Sequence, residues 1–215
     1  MTEQYSSKDF PNWMMRISAI VSVVFHPLFI GVFMAAYLLF IHPNYFVGFS
    51  DRAKWLKLMI VINNNLFFPM VVVALLRGLG FNKSFLLKTQ KERIVPYIAS
   101  ITFFFWSYYV FKHQPETPRA LVAMCRGMFL SSAAALLLNN YFKISMHGIG
   151  IGGLMGLMMV SIIDGSQYIG TPMLIALLIS GTTITARKIV SDHNWFDLIA
   201  GFIVGCTFQL IALWI

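Results

Sequence analysis

The sequence predicts an all-α fold: a polytopic transmembrane helical bundle of about six to seven spans, forming one integral membrane domain over residues 1–215. Three observations predict it. Apolar residues make up 58% of the chain and charged ones 11%, with a mean hydropathy of +0.74, outside the range of water-soluble domains. Apolar windows of roughly 20 residues, the length a helix needs to cross hydrocarbon, recur along the whole chain. The polar residues fall in short stretches between them, and no soluble domain, low-complexity tract or short-period repeat interrupts the pattern. The first apolar segment is too long for a removable signal peptide and lacks a small-residue cleavage site.

Taken in order, residues 1–15 read as an interfacial lead-in ending near Trp13. The first span is expected at 16–41, kinked at His26-Pro27 because proline breaks the helical hydrogen-bond ladder. A loop at 42–55 holds Pro43, Asp51, Arg52 and Lys54. The second span, 56–76, carries Asn63, Asn64 and Asn65, which must find partners on neighbouring helices. Next comes the most basic stretch, 77–93, with Arg77, Lys83, Lys88, Lys91 and Arg93. The third span, 94–111, tolerates Pro96 in its first turn. The fourth, 120–138, contains Arg126, expected to have a structural partner such as Asn139 or a backbone carbonyl. A polar stretch at 139–147 leads into the fifth span, 148–163, whose Gly148, Gly150, Gly152, Gly153 and Gly156 permit close helix approach. The sixth and seventh spans are expected at 172–185 and 196–215.

Charge and cysteine narrow the function classes. The net charge of +8 comes without any basic run interleaved with aromatics, so nucleic acid is not the expected partner. The cations can serve instead as topology signals, headgroup contacts or substrate ligands. Cys125 and Cys206 lie inside apolar segments, which argues against a disulfide framework or a cysteine metal site. His26, His42 and His113 fit no constellation.

Counting crossings puts 77–93, 139–147 and 186–197 on one side of the bilayer. That side gathers Lys88, Lys91, Arg93, Ser145, His147, Arg187, His193 and Asp197. Ionisable groups at a membrane boundary are costly to hold there and point to function. His193 and Asp197 lie four apart, so on a helix they share a face. The carboxylate can then accept the Nδ1 proton and leave Nε2 nucleophilic. Arg187, Arg93 and the lysines, with Ser145, suit the oxygens of a phosphate. His147 could protonate a departing oxygen and later activate water. No cofactor is called for, and the inventory of one carboxylate makes a poor magnesium site.

Three blocks in this order resemble the type 2 phosphatidic acid phosphatase (PAP2) superfamily of membrane lipid phosphatases. That family's third block is Ser-Arg, five residues, His, three residues, Asp; this chain has Ala186-Arg187, five residues, His193, three residues, Asp197. The second block, Pro-Ser-Gly-His, is matched by Ile144-Ser145-Met146-His147, which keeps the Ser and the His. The first, Lys, six residues, Arg-Pro, is matched loosely by Lys88, Lys91 and Arg93, with Pro96 three residues later. The likeness covers about 85–200 and leaves the two N-terminal spans, 1–84, unassigned. It implies His193 as nucleophile, Asp197 orienting it and His147 as the acid, with Arg187, Arg93 and one of Lys88 or Lys91 binding phosphate. The implied substrate is a lipid phosphate or diphosphate: phosphatidate, phosphatidylglycerol phosphate, an isoprenoid diphosphate or a lipid A phosphate. A phosphotransferase using the same histidine, and a non-enzymatic transporter or scaffold, are the alternatives. The expected location is a bacterial inner (cytoplasmic) membrane. Orientation stays open: ten Lys/Arg on the motif side against five opposite favour the cytoplasm by the positive-inside rule, whereas the resembling family commonly works on the outer face.

Overall fold

The apolar runs become helices and the polar residues between them become caps and turns. The structure, a computed structural model, describes residues 10–81, 87 and 89–215. Among these the elements are α1 (Asn12–Val24), α2 (Pro27–Ala36, continued by a wide π turn Tyr37–Ile41), α3 (Asp51–Val61), α4 (Phe68–Gly78), α5 (Gln90–Lys112), α6 (Arg119–Leu138), α7 (Met146–Ile163), α8 (Gly170–Val190) and α9 (Trp195–Trp214). No strand occurs among the described residues. Six helices are long and apolar enough to cross a membrane, α3 and α4 counting as one through the π segment Ile62–Phe67. Helices α1 and α2 pass the same test only as a pair bent by 55°, a seventh span if the pair counts as one. The chain is an integral membrane protein.

The burial pattern is that of a lipid-solvated bundle. Helix α1 turns Trp13, Ile17, Ile20 and Val24 outward and buries Ser18 and Ser22, the reverse of a water-soluble helix. The bend follows from Pro27, which has no N–H to continue the ladder. It starts α2 instead, with His26 as its cap: His26 Nδ1 accepts the Leu28 N–H at 3.4 Å. The π segment has a similar origin, because Pro69 cannot bond the carbonyl of Asn65 and the helix widens just before it. Asn65 is buried and its Oδ1 accepts from Ser107 on α5 at 2.7 Å, whereas Asn63 faces outward.

Several expected boundaries move, always because polar residues join a helix end. Ser50 caps α3, so Asp51, Arg52 and Lys54 lie within its first turns and the loop ends at residue 50. Helix α8 continues through Arg187 and Lys188 to Val190, leaving only residues 191–194 as the turn into α9. Arg126 meets neither Asn139 nor a carbonyl; its guanidinium stacks over the Tyr108 ring at 5.1 Å. Asn139 exchanges hydrogen bonds with the backbone and side chain of Gln90.

Helices α7 and α9 form the tightest pair, and glycine is the reason. A Cβ on Gly148 would come within 2.6 Å of the Leu198 carbonyl, and one on Gly201 within 2.6 Å of the Ser145 carbonyl. Backbone therefore packs on backbone. This fixes the relative height of the two helices so closely that the Ser145 N–H donates to the Asp197 carbonyl at 3.2 Å. Arg93 of α5 donates to the Ile144 carbonyl at 2.9 Å. The starts of α5, α7 and α9 and the end of α6 thus meet at one end of the bundle.

Candidate active site

At that end, four residues between α8 and α9 set up the imidazole. Asn194 caps α9: its Oδ1 accepts the Asp197 N–H at 2.7 Å, and Asp197 Oδ2 accepts the Asn194 N–H at 3.2 Å, a reciprocal capping box. His193 lies just before this box. Its ring reaches across the cap so that Nδ1 stands 3.3 Å from the same Asp197 Oδ2. The two residues are therefore not stacked along one helix face, as the four-residue spacing predicts; Asn194 stops the helix short of His193 because its side chain favours the cap. Behind the ring, the His193 N–H donates to Ser191 Oγ at 3.4 Å, and Ser191 donates to the Arg187 carbonyl.

Arg93 closes the other side. Its Nε donates to the Leu87 carbonyl and its Nη1 to the Ile144 carbonyl, both at 2.9 Å, while Nη2 stands 3.5 Å from His193 Nε2. The last distance is at the outer limit of a hydrogen bond. With Nδ1–H turned to the Asp197 carboxylate, Nε2 carries the lone pair and faces a cation. Burial and the Arg93 guanidinium together lower the His193 pKa to about 4, outweighing the hydrogen bond to Asp197. The ring is neutral near pH 7.

Arg187, in the last turn of α8, supplies a second guanidinium, close enough to Arg93 for the two charges to repel. Its Nε is buried with no acceptor among the described residues. Asp192 lies near enough to attract it, but its charge is shared with Lys143, to which it is paired at 2.6 Å. Two guanidiniums, one carboxylate and a neutral imidazole leave an excess positive charge.

His147, in the first turn of α7, shares this end. Its Nε2 stands 2.9 Å from the Ser22 carbonyl, which accepts, so Nδ1 is the nitrogen left for chemistry. Ser145 is fully buried as the cap of α7, its Oγ accepting the Gly148 N–H at 3.2 Å. The structure thus brings together Arg93, Ser145, His147, Arg187, His193 and Asp197. It does not bring in Lys91, which is exposed two positions before the buried Arg93 and so projects from a different side of α5. Lys88 lies outside the described residues.

One neighbour has no counterpart in the sequence reading. His26 packs edge-on to His147, ring centroids 5.3 Å apart, at the break between α1 and α2. The one available signal was the His-Pro pair itself, since a kinked helix in a membrane often lines a site. Comparison with models of known protein families, with curated proteins and with solved structures finds no match to this chain.

Proposed function

We propose that the chain is a lipid phosphatase of PAP2 type, hydrolysing a phosphomonoester or diphosphate carried by a membrane lipid. The observation that carries the reading is the His193 ring, held between a carboxylate on Nδ1 and a guanidinium at Nε2, with a second guanidinium beside it whose buried Nε has no acceptor among the described residues. A general-purpose structural histidine does not need surplus cations; a phosphoryl group does.

In the first step His193 Nε2 attacks phosphorus, the P–N bond forms and the bond to the leaving oxygen breaks. Asp197 holds the Nδ1 proton and steadies the imidazolium that develops. Arg93 and Arg187 bind the non-bridging oxygens as their charge grows. His147 Nδ1, with Nε2–H on Ser22, takes the proton of the bound phosphate monoanion and gives it to the leaving alkoxide or phosphate. In the second step water gives its proton back to His147 Nδ1 and attacks phosphorus, and the P–N bond breaks to restore His193. The His193 side chain is only 2% exposed, so phosphate reaches Nε2 after the Arg93 guanidinium swings from the ring onto a phosphate oxygen.

Near-complete burial also favours one rival, a latch that merely ties α9 to α5. Purified protein incubated with ³²P-labelled lipid phosphates separates the two. The enzyme releases inorganic phosphate and, quenched in alkali, carries acid-labile label on His193. A latch releases none from any lipid phosphate, and His193→Ala then lowers only thermal stability. Label appearing on a second lipid instead of in water marks a phosphotransferase.

A further inference from the structure

Between the N-terminal helices and the rest of the bundle lies a cavity of about 380 Å³, within the range of small-ligand pockets. His26, Leu87 and Met146 line it where α2, α5 and α7 begin, and we call that end its neck. Each belongs to the site already described: His26 packs on His147, Leu87 accepts from Arg93, and Met146 precedes His147. From the neck the cavity runs inward past α2 and α5. Wall residues extend from His26 to Met34 and from Pro96 to Phe104, eight positions on each helix, about 12 Å at the helical rise. The wall is mostly apolar: Gln209 donates to the Ala123 carbonyl and Ser131 to the Met128 carbonyl, while the buried Tyr97 hydroxyl has no partner among the described residues. At the side, Val23 of α1 and Met70 of α4 both line the cavity and are exposed on the lipid-facing surface, 65% and 49%.

We propose that this cavity receives the hydrocarbon chain of the substrate from the leaflet, entering between α1 and α4, and sets the chain length the enzyme accepts. The inference rests on the phosphatase reading and deepens it. Hydrocarbon gains little by exchanging lipid for another apolar surface, so the slot contributes positioning rather than affinity. An apolar void that stays dry lacks contacts on one side, and a chain restores them. With the chain in the slot, the ester oxygen sits at the neck, beside His147 and Arg93. The walls α1, α2 and α4 come from the half of the chain that the PAP2-like blocks leave unassigned, which gives those helices a task.

Gly153 tests the idea. It lines the cavity, and a Cβ there meets nothing within 4 Å, so a larger side chain projects into open space. Gly181 on α8 is equally unobstructed but exposed on the outer surface away from the cavity, and serves as the control. The measurement is kcat/KM for hexadecyl phosphate relative to butyl phosphate. Gly153→Phe should lower that ratio by about tenfold or more, because a misplaced ester oxygen loses its near-attack position, while Gly181→Phe leaves it unchanged. An unchanged ratio in Gly153→Phe overturns the proposal. Photolabelling with hexadecyl phosphate bearing a mid-chain diazirine needs no turnover. Labels on the Met34 and Met128 peptides that vanish in Gly153→Phe support the cavity even if no phosphate is released, in which case the phosphatase reading alone fails. Labels confined to outward-facing residues overturn the inference.

Discussion

Each end of the bundle holds a buried histidine among polar neighbours, and the two are built differently. At the end away from the candidate site, His42 Nε2 lies 3.0 Å from Ser166 Oγ, its Nδ1 accepts the Asn44 N–H, and its ring stacks on Tyr45 at 4.0 Å. Tyr45 donates to Asp164, and Lys57 donates to Gln114 and Thr117. Those donors meet acceptors within the chain: His42 and Tyr45 tie the 42–50 loop to the 164–169 turn and Lys57 ties α3 to residues 114 and 117, while the buried Tyr37 hydroxyl beside His42 has no partner among the described residues. At the other end Asp197 flanks His193 and Asp192 is paired with Lys143, which leaves Arg93 and Arg187 with one surplus positive charge. Burial lowers the pKa of both imidazoles, so protonation state does not tell them apart. Charge balance does. A closed network holds a fold together, whereas one left short of negative charge is prepared to take an anion from outside.

The sharpest way to break this contrast is a pair of variants. His193→Ala should abolish phosphate release, by at least about 1,000-fold, with partial rescue by added imidazole. His42→Ala should leave kcat within about twofold and lower the melting temperature, at a cost of about 1–2 kcal/mol for the lost hydrogen bonds. Equal loss of activity in both would erase the distinction. Next in size, Arg187→Gln should reduce kcat/KM by roughly 100-fold, as removal of a transition-state donor does. Lys57→Met at the closed end should act on stability alone, read by thermal unfolding in detergent.

The pH dependence comes third. The nucleophile must be unprotonated, so kcat/KM should fall with decreasing pH only as the solution approaches about 4, well below an ordinary imidazole. Removing the cation that disfavours imidazolium, as in Arg93→Met, should move this limb upward toward 6.5, whatever the loss in rate. A limb already near 6.5 in the unaltered protein would show that neither burial nor Arg93 holds the ring neutral. The smallest effects are expected at the rim. Lys91→Ala should change kcat/KM by no more than about threefold, and Lys143→Ala, which opens an exposed ion pair with Asp192, should cost about 0.5 kcal/mol or less.

The spans were legible because a membrane demands long apolar helices, and the meeting of Arg93 with Ile144 and His193 at one end followed from counting them. Local geometry was less legible. Spacing alone cannot tell a His and an Asp on a helix face from a pair straddling a cap; Asn194 decided it through a side chain that competes with the helix backbone. Ser50 and the tail of α8 moved boundaries for a related reason, since polar residues in end turns look like loop. His26 was invisible because its partner is 121 positions away, and nothing in a single sequence links the first bend to the start of α7. Lys91 looked equivalent to Arg93 on charge, and only the helical rotation between them separates the two.

The bond from His147 to the Ser22 carbonyl bears on biogenesis. One side of the candidate site is delivered by a segment made early, yet the His193 ring arrives with the final hairpin, 171 residues later. Insertion intermediates that lack α8 and α9 therefore hold His147 without His193. On the proposed reading the site is completed only when the last helix packs its glycines against α7.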